Sequence, residues 1–349
     1  MATIVTMEQL DTIANASLDF HLDKDKVFWQ NEQNRPFLKD LMSAAKTFPG
    51  GKEYLTERVV GEYVTGIEGF TYDDSVGYSN PSKLRTASFP YKLIHAGLNI
   101  TLHELIQNGI SIDNTMNGTG EKRLSERDAL ALADIFDYKM DDMKGGMAKA
   151  MDEMFWGDGS ADPKLVPGIR SIILDNPASA LVVGGIDQSA NTWWRNYAAT
   201  GIVTTDPTLQ NLVTALQKGM RQMRRYGSPT HKAYAGSDFL EALEKELRAK
   251  GTYTQDGFAK SGRVDLSVAD VMFKNVDINY TPTMDDIGLG KYCFFVDTKA
   301  IRARVVEGED MKKHTPARPE DKYVLYRAVT WVGGLTTRQR NTSGVFSIA

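Results

Sequence analysis

The sequence has very little cysteine: Cys293 is the only one among 349 residues. One thiol cannot form an internal disulfide or build a multi-cysteine zinc or iron–sulfur site, so a reducing compartment fits the chain best. Cys293 stands in the apolar run Tyr-Cys-Phe-Phe-Val, where burial disfavours the thiolate. We therefore expect a core side chain at this position rather than a nucleophile.

Positive charge and long apolar runs are scarce as well. The chain carries 41 Lys and Arg against 45 Asp and Glu, a formal charge of −4, which is far from the basic excess of a dedicated nucleic-acid binder. No run of about 18 apolar residues occurs, and no Lys or Arg precedes Lys24. These patterns predict neither a membrane-spanning helix nor a secretory signal peptide.

Recognisable catalytic and cofactor motifs are also missing. The five histidines include no pair at the i, i+4 spacing of a helical metal site. The glycines at 184–185 and at 288–290 match neither the dinucleotide fingerprint nor the P-loop. Paired acids such as Asp141-Asp142 are typical of a solvated surface. The sequence therefore predicts no catalytic residue, no cofactor and no metal site.

The length fits about two domains, and periodicity predicts their elements. We expect an amphipathic helix at 7–22 and a short helix at 36–46. A strand at 54–65 and its partner at 87–105 predict a long two-stranded arm, separated by a loop of about twenty residues. Because loops of that length are uncommon in compact domains, we interpret this region as an extended projecting hairpin.

The strongest helical period lies at 124–156, where apolar residues, many of them methionines, recur at steps of three and four. It predicts one amphipathic helix about 50 Å long whose methionine stripe faces a core. Short strands and helices then alternate, which indicates an α/β or α+β unit. The predicted helices are 207–226 and 238–250, and the predicted strands are 169–174, 232–235, 268–280, 291–297, 301–307 and 323–338.

Two surface features remain open to two interpretations each. Lys218, Arg221, Arg224 and Arg225 share one face of the helix predicted at 207–226; this face is either simply solvated or binds phosphates or an acidic surface of a neighbouring subunit. Residues 299–349 hold 10 basic and 5 acidic side chains, which leaves −9 for the remainder. Such surfaces of opposite sign either meet between copies or are separately solvated.

The most unusual local segment is 184–196, which contains Gly-Gly-Ile-Asp and Asn-Thr-Trp-Trp-Arg-Asn. Each tryptophan buries roughly 150–250 Å² when it is enclosed. Adjacent side chains on a strand point to opposite faces, so one core rarely takes both rings. We expect one of Trp193 and Trp194 to lie in the core and the other to anchor a contact within or between subunits.

The order of these parts resembles the major capsid proteins of tailed bacteriophages. Segment 184–196 and the ending Tyr-Arg-Ala-Val-Thr-Trp at 326–331 are similar to sequences of that group. The resemblance covers nearly the whole chain and implies an α+β capsid fold of five parts. These are an N-terminal arm at 1–52, an extended β-hairpin loop at 53–106, a peripheral domain at 107–205 with the spine helix 124–156, an axial domain at 206–298, and C-terminal strands at 299–349 shared by both domains.

The resemblance further implies a non-enzymatic virion protein, made in the bacterial host cytoplasm, that forms hexamers and pentamers of an icosahedral head around double-stranded DNA. Its expected partners are copies of itself, a separate scaffolding protein, a portal protein, a decoration protein and, non-specifically, the packaged DNA. Some members of the group form lysine-asparagine crosslinks between subunits. The chain shows no matching acceptor and acid motif, so no such crosslink is predicted for it. The candidate assembly or packing residues are Phe70, Tyr72, Tyr78, Lys83, Trp193, Trp194, Arg195, Arg221, Arg224 and Arg225.

Two other functions stay open at this stage. One is a soluble α/β enzyme of unknown substrate, which lacks support from any convergent acid, base, metal or phosphate motif. The other is a different virion component, such as a tail or adaptor protein, against which the single long helix argues. Only the capsid interpretation explains a projecting loop that has too little local core of its own.

Overall fold

A computed structural model of the chain describes residues 5–6, 35–63, 65–78, 84–101, 103–104, 112–113, 126–227, 229–249, 272–314, 316 and 324–349. The α-helices in these ranges are α1 (Pro36–Ser43), α2 (Glu126–Trp156), α3 (Asn211–Arg224), α4 (Ser237–Ala249) and α5 (Pro282–Asp286). The strands are β1 (Val5–Thr6), β2 (Lys46–Phe48), β3 (Leu55–Val60), β4 (Leu84–Phe89), β5 (Lys92–Thr101), β6 (Ile112–Asp113), β7 (Val182–Val183), β8 (Ile186–Asp187), β9 (Tyr197–Ile202), β10 (His231–Ala235), β11 (Met272–Phe273), β12 (Val276–Tyr280), β13 (Tyr292–Asp297), β14 (Ile301–Val306), β15 (Lys312–His314), β16 (Val324–Thr337) and β17 (Gly344–Ile348).

This mixture of helices and antiparallel, parallel and mixed strand pairings confirms the predicted α+β class. The helices predicted at 36–46, 124–156, 207–226 and 238–250 are present as α1 to α4, with ends shifted by a few residues. The strands predicted at 232–235, 291–297, 301–307 and 323–338 are present as β10, β13, β14 and β16. The helix predicted at 7–22 lies outside the described residues.

The predicted pairing of the arm is wrong in one respect. β3 pairs with β4 in antiparallel register, from Leu55 opposite Phe89 to Val60 opposite Leu84, so the hairpin exists. Its second strand ends before Pro90, which has no N–H to continue the ladder. The alternating residues that follow form β5, which pairs with β16 instead.

A second expectation, the strand at 169–174, is also wrong. The N–H groups of Ile172 and Ile173 both donate to the carbonyl of Ile169, at 2.9 and 2.8 Å, and so close a 3₁₀ turn at Ile169–Ser171. The side chains are buried as a strand's would be, but the backbone bonds are local. Apolar β-branched residues alone do not separate these two outcomes.

Contacts divide the chain into two compact units. The first comprises Met1–Asn34, Leu93–Asp152 and Glu307–Val332; the second comprises Arg35–Lys92, Glu153–Val306 and Gly333–Ala349. This division assigns no peripheral or axial role, so the five-part organisation stays a prediction. No helix within the described ranges is both long and apolar enough to cross a membrane.

In the first unit, α2 carries the predicted methionine stripe. Met140, Met143, Met147 and Met151 are all buried, which confirms that this face of the helix is core. The Lys139 ammonium, one position before the stripe, donates to the Glu104 carboxylate at 2.7 Å and to the Asn99 carbonyl at 3.1 Å. These bonds connect the helix to the end of β5.

The second unit contains a six-stranded sheet with the order β11-β12-β10-β13-β17-β9. Strands β9, β10, β12 and β17 run in one direction, because β10 is parallel to β12, β17 is parallel to β9, and β13 is antiparallel to both β10 and β17. Helices α3 and α4 cover one face of this sheet through a continuous apolar core. Glu246 on α4 is buried and accepts hydrogen bonds from the N–H groups of Leu212 and Val213 at 3.1 and 3.0 Å, which satisfies the first turn of α3.

The opposite face of the sheet packs on aromatic rings. Tyr234 on β10 and Phe294 on β13 alternate with residues of the first face, as the two-residue period of a strand requires. The ring of Trp156, at the end of α2, lies 5.9 Å from that of Tyr234 and 5.4 Å from that of Phe294. Phe37 of α1 completes the cluster at 4.3 Å from Trp156. The sheet is thus enclosed on both faces, and Cys293 is buried within it as expected.

Candidate assembly surface

The base of the β3–β4 hairpin is held by a buried carboxylate. Glu57 on β3 accepts a hydrogen bond from Arg304 of β14 at 2.6 Å and one from Arg338 at 2.9 Å. Burial would raise the pKa of Glu57, but the two guanidinium hydrogen bonds and charges outweigh it and hold that pKa below its usual value. The charged form therefore clamps the hairpin to β14 and to the residue that follows β16, which lie 247 and 281 residues later in the chain.

Segment 184–196, singled out by its sequence, forms a socket for the same base. The Gly184 carbonyl accepts a hydrogen bond from the Ser88 N–H at 2.9 Å. Gly184 has φ +62°, and a Cβ there would lie 3.0 Å from the Phe89 ring and 3.2 Å from the Ala87 methyl. Glycine is thus required both by the left-handed backbone and by the close approach of β4.

The two tryptophans divide their roles within the chain. They lie on a 3₁₀ turn, Thr192–Trp194, rather than on a strand, and their rings meet at 5.8 Å in an edge-to-face arrangement. Trp194 is 1% exposed, and its indole N–H donates to the Val183 carbonyl at 3.0 Å. The ring of Trp193 lies against Gly61 at the end of β3, where an added Cβ would fall 2.2 Å from it. Trp194 is therefore the core residue, and Trp193 anchors the hairpin of its own subunit.

Arg195 and Arg340 stabilise the turn that carries these rings. Arg195 donates to the carbonyls of Gln188 and Ser189 at 2.7 and 2.8 Å. Arg340 is buried and donates to the Trp194 carbonyl at 2.9 Å and to the Gln188 side chain at 3.2 Å. Burial lowers the pKa of Arg340 to about 10. The segment is thus a rigid platform for the hairpin base.

Beyond this clamped base, the hairpin turns into an exposed tip. We define the tip as residues 62–63 and 65–78; they contain no strand, and their apolar side chains project into solvent. A local turn is formed where the Asp74 carboxylate accepts from the Thr71 N–H at 2.9 Å and from its hydroxyl at 2.7 Å. The large apolar residues of the tip, each at least 46% exposed, are Tyr63, Ile67, Phe70, Tyr72, Val76 and Tyr78.

The remaining candidate residues are Lys83 and three arginines. Lys83 lies outside the described residues. Arg221, Arg224 and Arg225 are exposed near the end of α3, where Arg224 donates to the Lys274 carbonyl at 2.9 Å. The tryptophan segment therefore contacts the base of the hairpin whose tip carries the exposed aromatic residues. The three arginines lie at the end of α3 in the same unit.

The described residues show no arrangement suited to metal-dependent or thiol chemistry. No group of three or more His, Cys, Asp and Glu side chains in these ranges is placed to hold a metal ion. Burial raises the pKa of the Cys293 thiol far above its usual value, so the nucleophilic thiolate is strongly disfavoured. Burial also lowers the pKa of His231, which bonds the Thr342 carbonyl rather than a carboxylate partner.

Three residues that hold the hairpin base and segment 184–196 are not among the candidates predicted from the sequence: Glu57, Gly61 and Arg340. The alternation of the strand could have indicated Glu57. Leu55, Glu57 and Val59 occupy its inward positions, and a carboxylate buried there must be paired with a cation or a hydrogen-bond donor. No such pattern indicates Gly61 or Arg340, since their partners lie more than a hundred residues away.

No family model and no curated protein matches this sequence. Solved structures do match it. A chain of the cyanophage A-1(L) capsid asymmetric unit is 12% identical, with a TM-score of 0.59 over 90% of this chain and 94% of that one. The capsid of the native GTA particle gives 13% identity and a TM-score of 0.53, over 89% and 90% of the two chains. The mature capsid of bacteriophage PhiM1 gives 11% identity and a TM-score of 0.52, over 87% and 85%. At these identities the likeness is one of fold: this chain shares the α+β fold of these capsid chains.

Proposed function

We propose that this chain is a structural major capsid protein, with no enzymatic role, that assembles into hexamers and pentamers of an icosahedral phage head enclosing double-stranded DNA. The fold shared with capsid chains supports the proposal. Under it, the protein is made in the host cytoplasm and resides in the virion. Residues 206–298 serve as the axial domain and 107–205 as the peripheral domain. A separate scaffolding protein, a portal and a decoration protein are its expected partners, and its contact with the packaged DNA is non-specific.

The observation that carries the proposal is the contrast between the two ends of the hairpin. Its base is fixed by the Glu57 clamp and the Trp193 contact, whereas Tyr63, Tyr72 and Tyr78 at the tip are each at least 96% exposed. Contiguous exposed apolar surface in a folded protein marks an interaction site. A fixed base and an apolar tip suit an element that is stable only when its tip packs on another chain.

The energy available from this packing is large. Fully burying one large apolar side chain stabilises by roughly 1.5–3 kcal/mol. Of the six tip residues, Val76 and Phe70 are already partly covered, at 46% and 64% exposure, and the others have nearly their whole surface to bury. Because every copy presents the same tip, a neighbouring copy of this chain is the partner that a closed shell provides.

Size-exclusion chromatography with negative-stain microscopy of the purified full chain tests the proposal. Rings, sheets or shells much larger than a single subunit are expected. A compact dimer or tetramer under all assembly conditions would contradict the proposed function.

A variant series then assigns assembly to the tip. Deleting residues 69–82 is expected to leave the thermal unfolding of the subunit unchanged while abolishing or altering assembly. The full-length variant with Phe70→Ser, Tyr72→Ser and Tyr78→Ser should behave in the same way. The matched control replaces Leu165 and Leu181 by Ser, because these apolar residues are also exposed but lie outside the tip. Normal shells from both tip variants would refute this role of the hairpin.

A further inference from the structure

The six-stranded sheet of the second unit separates charge along the direction of its strands. Since β9, β10, β12 and β17 run the same way, their carboxyl ends share one edge and their amino ends share the opposite edge. The backbone confirms this for two strands: the Ala349 N–H that follows β17 donates to the Ile202 carbonyl at the end of β9, at 2.9 Å. Strand β10, with five residues, places the two edges about 16 Å apart.

The edge at the carboxyl ends is mainly acidic, although Lys291, just before β13, also lies there and donates to the Ala349 carbonyl at 3.0 Å. Asp206 follows β9, Asp238 follows β10 in the first turn of α4, and Asp285 and Asp286 follow β12 in α5. A Cβ on Gly290 would lie 3.1 Å from the Asp285 carboxylate and 3.2 Å from that of Asp238, so these two acids converge on one spot. We call these four residues the acidic edge.

Two of these carboxylates accept hydrogen bonds from neighbouring groups, and the other two accept none from the residues that the structure describes. Asp206 accepts from the Thr208 N–H at 2.9 Å, and Asp285 accepts from the Ser237 N–H and the Tyr280 hydroxyl at 2.9 and 2.7 Å. Asp238 and Asp286 are exposed. Within the described ranges, no Lys or Arg side chain comes within ion-pair distance of any of the four.

The edge at the amino ends is basic. Helix α3 runs back along the sheet after β9 and ends just before β10, which brings Arg221, Arg224 and Arg225 to this side. Lys274, in the turn between β11 and β12, joins them, because its carbonyl accepts from the Arg224 guanidinium at 2.9 Å. We call these four cations the basic edge. In the part of the chain that the structure describes, none of the four forms an ion pair.

Acidic side chains near the basic edge do not neutralise it. Asp297 is buried at the end of β13, where its carboxylate accepts the N–H groups of Thr230 and Lys299 at 3.2 and 3.1 Å. Asp277 is exposed on β12. Each edge therefore gathers like charges that repel one another within a single copy, and a surface of the opposite sign relieves that repulsion.

We propose that the acidic edge of one copy packs against the basic edge of the next, so that copies join head to tail around a capsomer ring. Two different complementary surfaces on opposite sides of one subunit are the requirement for such a heterologous, ring-closing interface. This inference rests on the proposed function and specifies which surfaces of the second unit make the ring. The charge pattern also selects against head-to-head contacts, because like edges repel.

Charge reversal at one edge at a time tests the proposal. The first variant carries Arg221→Glu and Arg225→Glu, and the second carries Asp238→Lys and Asp286→Lys. These changes spare Arg224, Asp206 and Asp285, and they remove the bond from the Arg221 guanidinium to the Gln217 carbonyl within α3. Each variant alone cancels the net charge of one edge, because two of its four charges are reversed, and so removes the charge attraction at every contact. The concentration needed for assembly, measured by sedimentation and electron microscopy, should rise at least about tenfold in each, and 0.5 M salt should weaken wild-type assembly.

Two combinations of these changes make the test specific. A chain carrying all four substitutions has no net charge among the four residues of either edge, so it should assemble no better than either single-edge variant. An equimolar mixture of the two single-edge variants should assemble at a lower concentration than either variant alone, because copies that alternate around a ring pair an intact acidic edge with an intact basic edge at every second contact. A control with Lys52→Glu and Lys164→Glu, two exposed lysines that belong to neither edge, makes the same change in charge as the arginine variant and should assemble normally.

The outcomes separate this inference from the proposed function. Shells from the wild type together with normal assembly of both single-edge variants would overturn the interface and leave the capsid function intact. Loss of assembly only with the arginine reversals, without rescue in the mixture, would also overturn it and indicate a nucleic-acid contact instead. If a reversal unfolds the subunit by circular dichroism, the neutral versions with Gln or Asn replace it and should raise the required concentration by a smaller factor.

Discussion

Replacing Glu57 by Gln is the most informative single change at the base of the hairpin. Glutamine keeps the size of the side chain but removes the charge that receives hydrogen bonds from Arg304 and Arg338 at 2.6 and 2.9 Å. Glu57 is 8% exposed as a residue, so water cannot replace the lost interactions in full. The change leaves the guanidinium of Arg304, itself largely buried, facing an amide.

The expected cost follows from this burial. Removing one partner of a fully buried ion pair costs about 3–5 kcal/mol. The Arg338 side chain is 55% exposed and is screened by solvent, so its share is small. We therefore expect Glu57→Gln to lower the free energy of unfolding by about 2–4 kcal/mol, measured by urea denaturation of the unassembled subunit.

The same interaction predicts a pH dependence with a definite sign. The pKa of Glu57 in the folded state lies below its ordinary value of 4.5. The clamp is therefore fully present above pH 4.5, and its stabilisation is lost as the pH falls through the lowered pKa. Glu57→Gln should remove this component of the acid loss, so the stability difference between wild type and variant should shrink as the pH decreases below 4.5.

Glu53→Gln is the matched control, because Glu53 is an exposed acid four residues away. It should change the unfolding free energy by less than about 0.5 kcal/mol. A double-mutant cycle with Arg304→Met should return a coupling of more than about 1 kcal/mol with Glu57. Equal stabilities of the Glu57 and Glu53 variants, or additivity in the cycle, would refute the clamp.

Three further predictions concern the socket and the core. Trp194→Ala should cost about 3–5 kcal/mol in denaturant unfolding because its ring is buried, whereas Trp193→Ala should cost about 1–2 kcal/mol and increase proteolysis of the hairpin; equal costs would contradict their different roles. Gly184→Ala should be more destabilising than Gly185→Ala by about 1 kcal/mol: both have positive φ, but only position 184 meets the hairpin, and a reversed order would refute the socket. Cys293 should resist a thiol reagent in buffer and react fully in denaturant, because burial raises its pKa; rapid labelling of the folded chain would contradict its burial.

The sequence predicted elements whose signals are local and periodic. The methionine steps along α2 are visible without any tertiary information, and that helix is confirmed. The long strand predicted at 323–338 is confirmed as β16. The hairpin is predicted as well, because two strand-like segments flank a long glycine-containing loop. Its second strand was misassigned since two apolar strands, β4 and β5, flank Pro90, and only tertiary pairing decides which one β3 takes.

What the sequence could not supply are the contacts made across long separations. The sequence leaves open whether segment 184–196 makes contacts within or between subunits. Trp193 of this segment packs on Gly61 of the same subunit, and a glycine has no side chain that could indicate such a contact. The tryptophans were placed on a strand, whereas a 3₁₀ turn directs them differently. Strand β17 is not predicted from the sequence, because Gly344 and Ser347 interrupt its apolar pattern. Its pairing with β13 and β9 stabilises it as a strand in the folded chain.

The central claim is that the hairpin tip, exposed in the single subunit, is covered by another copy in the assembled state. Tyr72→Cys tests it directly: Tyr72 is fully exposed at the tip, and the natural thiol of Cys293 is buried, so a thiol reagent reports on the tip alone. The labelling rate of this variant is measured before and after assembly. The account predicts a fall of at least about tenfold on assembly, as expected for a side chain taken out of water at an interface core. An unchanged rate in well-formed shells would contradict it.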